Sequence, residues 1–82
     1  MPYLTKERQD ELLSPEGYPT TGGDLNFIIT KLCLEFAGDK PKYETFNTII
    51  GALESCKLEF YRRAVAPYED VKIKENGDVY GV

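Results

Sequence analysis

The chain has no histidine and no tryptophan, and only two cysteines and one methionine among its 82 residues. Without histidine, the side chain that most readily moves a proton near neutral pH is missing, so His-based triads and acid/base pairs are excluded. The commonest transition-metal ligand goes with it, and Cys33 and Cys56 are too isolated in sequence to form a zinc-type pair. Neither a glycine-rich phosphate loop nor a nucleophile motif is present. The longest apolar-rich stretch, residues 25–36, is too short and too polar to span a bilayer. The start, MPYLTKERQDELL, is charged from Lys6 onward and does not read as a signal peptide. These absences point to a cytoplasmic protein with no cofactor, no metal and no membrane partner. Its two cysteines are expected to be reduced thiols in apolar surroundings.

Acids outnumber bases 14 to 10, for a net charge of −4. Such a chain repels a nucleic-acid backbone overall, so no nucleic-acid partner is expected, although a local basic patch can still take one small anion. Hydrophobic residues make up 41%, which suits a folded globule. The length sets one small domain, residues 1–82, with a marginal core.

Periodicity predicts a mainly α fold. Thr5 can cap a short charged helix over residues 6–13 that carries Leu12 and Leu13 as its apolar anchors. The segment SPEGYPTTGG, with its prolines and glycines, reads as a loop. A second helix over 24–37 has Asp24 as N-cap and Gly38 as left-handed C-terminal cap. Leu25, Ile28, Ile29, Leu32, Cys33 and Phe36 form its apolar stripe, while Phe27 and Leu34 lie off it.

A turn through Asp39, Lys40 and Pro41 leads to the longest helix, over 45–66, which is expected to stop before Pro67. Phe46, Ile49, Ile50, Leu53, Cys56, Phe60 and Ala64 make its main stripe, and Leu58, Tyr61 and Val65 a second. The short connection predicts an antiparallel helical hairpin. Two helices that are each apolar on more than one side cannot bury everything against each other. A homo-oligomer, in its simplest form a symmetric dimer with a four-helix core, is the expected solution. For residues 68–82, VKIK and VYGV alternate around ENGD, which predicts a β-hairpin or arm built on an Asn76-Gly77 turn.

Three segments carry a resemblance: GDLNFIIT (residues 23–30), GALESCKLEFYRR (51–63) and APYEDVKIKENGDVY (66–80), together with the opening Met1-Pro2-Tyr3. They resemble a family of small uncharacterised proteins of bacteriophages, prophages and bacteria that bear a domain-of-unknown-function label. The resemblance covers nearly the whole chain and departs mainly at residues 14–21, where Pro15 and Gly17 cut the first helix short. It implies origin in a mobile-element genome and no established activity.

Candidate chemistry gathers where the expected hairpin would bring Asn26 and Thr30 towards Lys57, Tyr61 and Arg62, with the tail just beyond. Lys57, Arg62 and Arg63 supply charge, Tyr61, Tyr68 and Tyr80 supply stacking faces, and Asn26 and Asn76 supply edge recognition. The bland alternative is a solvated face held by Glu54–Lys57 and Glu59–Arg62/Arg63 pairs. The leading expectation is a non-enzymatic accessory protein that sequesters a small nucleotide-type signal of bacterial anti-phage defence. A protein-interaction module that caps a host or phage protein with its acidic tail is the rival. A small metal-dependent hydrolase using Glu69, Asp70 and Asp78 is the third reading.

Overall fold

The structure, a computed structural model, describes residues 4–80. Met1, Pro2 and Tyr3 of the resemblance, and Gly81 and Val82 of the expected arm, lie outside the described residues. The chain is mainly helical, with α1 at Lys6–Leu13, α2 at Gly22–Ala37 and α3 at Tyr43–Phe60. A π-helical turn, Tyr61–Val65, then leads directly into α4 at Ala66–Asn76. The chain divides into two compact units, Met1–Thr45 and Phe46–Val82, and each is described by itself.

In the first unit, Thr5 has extended backbone and its hydroxyl accepts the Arg8 N–H at 3.1 Å, the ordinary way a helix start satisfies an orphan donor. Leu12 is buried, while Leu13 stays exposed. The Ser14 hydroxyl and N–H both donate to the Glu11 carbonyl and end α1. The chain then turns so tightly that a Cβ on Gly17 would collide with the Glu11 and Leu12 carbonyl oxygens. Only glycine fits there.

The cap of α2 differs from the expected Asp24. Thr21 is the N-cap, its hydroxyl accepting the Asp24 N–H at 3.0 Å. Both residues can cap, and Thr21 prevails because Gly22 and Gly23 accept helical geometry and free Asp24 for another partner. At the far end Gly38 takes φ of 72° and its N–H donates to the Leu34 carbonyl, closing α2 where the sequence places it.

The second unit corrects the sequence reading most. Helix does not stop before Pro67, and the β-hairpin expected over residues 68–82 is absent: Ala66–Asn76 is α-helix, and no strand occurs among the described residues. Proline breaks a helix because it lacks an N–H and its ring strikes the carbonyl four residues back. Here the wide turn just before it relieves that conflict. The Ala66 N–H bonds to Tyr61, five residues back, so Pro67 enters as an early residue of a freshly started α4.

Alternation in VKIK is also too short to decide between period two and period 3.6. Local pairs decide for helix. Lys72 meets Glu75 at 3.3 Å, and its ammonium lies 5.6 Å from the Tyr68 ring centroid. These i,i+3 and i,i+4 contacts need no partner chain, whereas an isolated hairpin is barely stable in water. Gly77 does take positive φ, at 93°, but as the cap of a helix, with its N–H bonded to the Ile73 carbonyl at 2.8 Å.

No side chain of α3, of the π turn or of α4 is buried. Cys56, expected among apolar neighbours, is exposed, and Cys33 is half-buried.

Candidate functional site

The π turn determines which side chains meet in the second unit. In a regular α-helix, residues eight apart are offset by about 80° around the axis. One extra residue in the turn removes most of that offset, so Tyr61 and Glu69 share a face. The Tyr61 hydroxyl donates to the Glu69 carboxylate. That hydrogen bond and the adjacent negative charge push the Tyr61 phenol above its usual range, since ionising it would remove the donor and place two anions together.

Beyond this pair, Tyr68, Lys72, Ile73, Asn76 and Tyr80 complete an open groove of about 640 Å³ along α4 and the residues after it. That size lies within the range of small-ligand sites. Its character is mixed. Three tyrosine rings and Ile73 supply apolar faces, Asn76 supplies both a donor and an acceptor, and Lys72, Glu69 and Asp78 add charges of both signs. Asp78 is partly engaged, because its carboxylate accepts the Tyr80 N–H at 2.8 Å and bends the chain back towards the helix end.

Of the expected site residues, the fold thus brings together Tyr61, Tyr68, Asn76 and Tyr80. Arg62 lies on an adjoining shallow surface with Ser55, Leu58 and Glu59, and Tyr61 borders both surfaces. Lys57 pairs with Glu54 at 3.2 Å on an exposed face. Arg63 stands in the π turn, and among the described residues neither Arg62 nor Arg63 pairs with Glu59. Asn26 and Thr30 belong to α2 in the other unit, where the Thr30 hydroxyl donates to the Asn26 carbonyl at 2.8 Å. The sequence offers Glu69 only as a carboxylate for the hydrolase reading, and Lys72 and Ile73 only as residues of the expected hairpin. The i,i+3 spacing of Lys72 and Glu75 was a readable helix signal. The Tyr61–Glu69 contact had none, because an eight-residue spacing means nothing without the wide turn.

The first unit holds a second polar cluster that reasoning from the sequence missed. Asp24 is 2% exposed, yet it carries a charge. Arg8 donates to it through Nε at 3.2 Å and through Nη2, the Thr20 N–H donates at 3.0 Å and the Thr20 hydroxyl at 3.2 Å. These donors, Arg8 foremost, hold the carboxyl far below the ordinary carboxylate range. Arg8 also donates to the Tyr18 carbonyl, so one guanidinium ties α1, the loop and the start of α2 together. The cation that lines the neighbouring hollow, Arg8, is engaged in this ion pair, which makes the pair a latch.

Among the described residues, no group of three His, Cys, Asp or Glu side chains is arranged to hold a metal ion, and no helix is long and apolar enough to cross a membrane. No curated protein and no solved structure matches the chain. A family model does match it, over residues 1–79, and with that span covered the chain belongs to the family described as Domain of unknown function (DUF6899).

Proposed function

We propose that this chain is a non-enzymatic, self-associating helical binding protein whose groove takes the planar base of a small nucleotide-type molecule. The observation that carries the reading is the convergence of Tyr61, Tyr68 and Tyr80 with Asn76 on one groove of ligand size. Aromatic faces stack on any base, an amide reads its edge, and the Glu69 and Asp78 carboxylates accept from exocyclic amines. Phosphate belongs on the other side of Tyr61, beside Arg62, away from those carboxylates. The fuller form of the proposal is a bacteriophage or prophage accessory protein that sequesters a defence signal in the host cytoplasm. It rests on the resemblance of the GDLNFIIT, GALESCKLEFYRR and APYEDVKIKENGDVY segments. The homo-oligomer belongs to the same proposal, since the second unit leaves its apolar side chains uncovered.

Thermal shift and calorimetry against cyclic dinucleotides and ADP-ribose derivatives test it. A raised melting temperature with at least one class is expected, and Arg62→Ala should weaken that binding about ten- to hundredfold, the usual cost of a charge-assisted contact. Recovery of the ligand unchanged after the protein is heat-denatured is expected of a binder and excludes a hydrolase. No response to any nucleotide would overturn the proposal.

A second reading has its own observation. Val79 and Tyr80 stand 86% and 96% exposed on the same groove as the acidic Glu69 and Asp78. That pattern suits an anchor for a basic protein surface. One stoichiometric partner from host lysate, without nucleotide response, would favour it.

A further inference from the structure

The apolar stripe of α3 is symmetric about its own middle. Phe46 lies seven residues before Leu53 and Phe60 seven after, while Ile50 lies three before and Cys56 three after. In an α-helix these five fall within about 120° of arc. None is buried: Phe46 is 51% exposed, Ile50 65%, Leu53 39% and Phe60 65%. We propose that this face of α3 docks against the same face of a second copy of the chain, antiparallel, with the two-fold axis at Leu53. The proposal rests on the self-association reading above and adds its surface, symmetry and register.

Self-complementarity is what selects the occupant. A two-fold interface presents one patch to itself, so each residue must suit its mirror position. Around Leu53 that condition is met. Phe46 faces the second copy's Phe60 at both ends, about 10 Å along the axis from the centre. Ile50 faces Cys56 on either side of the middle, pairing a large with a small side chain. Ile49 and Lys57 lie about 40° either side of Leu53, so the aliphatic stem of Lys57 covers the second copy's Ile49 while its ammonium reaches out to Glu54 at the wet rim.

The area suffices as well. The exposed parts of these side chains and their rim amount to about 600 Å² per copy, and about 1,200 Å² for the pair reaches the lower bound of stable interfaces. Ser55 projects from the opposite side of the helix and serves as the control position.

The test uses the full chain with Cys33→Ser and Cys56→Ala, which keeps the position opposite Ile50 small and apolar. Leu53→Cys should then form a covalent dimer under mild oxidation about tenfold faster than Ser55→Cys, because only residues on the axis meet themselves. A second arm is independent of that variant's folding. Phe46→Lys and Phe60→Glu, each alone, should weaken self-association in sedimentation equilibrium by about tenfold or more. Combined in one chain they should restore it to within about threefold, since each lysine then faces the second copy's glutamate, a pair made twice per dimer. A folded monomer at micromolar concentration overturns both this surface and self-association. An oligomer in which Leu53→Cys cross-links no faster than Ser55→Cys, and in which the charge pair gives no rescue, overturns the surface and leaves self-association standing.

Discussion

Asp24 shows how one residue can hold a unit that has almost no core. It is the most enclosed polar group among the described residues, and everything around it donates hydrogen bonds. Removing Arg8 would leave a buried charge without its main partner, and removing Asp24 would leave the Thr20 N–H unpaired and the guanidinium with only Glu11, the Tyr18 carbonyl and the Thr20 hydroxyl. Because folding lowers the Asp24 pKa, its contribution is complete above the ordinary carboxylate range, near pH 4, and is lost as acid titrates down through the depressed value. Wild-type amide shifts of Thr20 and Asp24 should therefore stay unchanged through the ordinary carboxylate range, about pH 4, and move only well below it. Asp24→Asn should remove that acid transition and loosen α1 already at neutral pH, read as lost hydrogen-exchange protection over Lys6–Leu13. The neighbouring Thr21→Ala removes the N-cap of α2 and should cost about 1 kcal/mol in thermal melts.

At the scale of the element, the π turn and Pro67 form one device. The wide turn admits the proline ring, and in doing so it rotates α4 until Glu69 meets Tyr61. Pro67→Ala removes the reason for the wide turn. Relaxation to a regular α-helix would rotate everything beyond by about 100° and separate the pair. Far-UV circular dichroism should hold or gain helical signal, while the phenol that ionises above the usual tyrosine range should return to near pH 10. The sign follows from the raised phenol: the pair stabilises the helix fully below the ordinary tyrosine pKa and is lost as pH rises through the higher value. The nucleotide response proposed for the groove should fall with the rotation, because Tyr61 and Tyr68 would no longer share it. At the other end of α4, Gly77→Ala places a Cβ at φ of 93° and should fray the last turn at a cost of about 1 kcal/mol.

For the whole molecule, the decisive feature is apolar surface that the chain leaves uncovered. Hydrophobic burial is the dominant favourable term in folding, and here only Leu12 is a buried hydrophobic side chain among the described residues. If copies complete one another's cores, stability becomes a function of concentration. Each tenfold rise in protein concentration should then add about 1.4 kcal/mol per mole of dimer, visible as an upward drift of the melting temperature. A melting temperature independent of concentration from micromolar to millimolar would contradict assembly. The net charge of −4 predicts in addition no measurable affinity for duplex DNA at physiological salt.

Local features were settled by the sequence because the groups that decide them are neighbours along the chain. Thr5 precedes α1 and caps it, Gly38 follows α2 and ends it, and Gly77 supplies a positive φ. The mainly α class follows from the stripe spacing, which no other regular structure satisfies. Tyr61, Tyr68, Asn76 and Tyr80 were legible as groove chemistry by type alone. Their grouping was not, because it depends on one extra residue in a turn. Only the fold determined that the ending after Pro67 is helix: a four-residue alternation costs little to override once Lys72 finds Glu75 and Tyr68 within its own turn, and a proline next to a wide turn no longer breaks the ladder. The Arg8–Asp24 latch was equally out of reach, since its residues are sixteen apart and meet only when the intervening loop doubles back at Gly17.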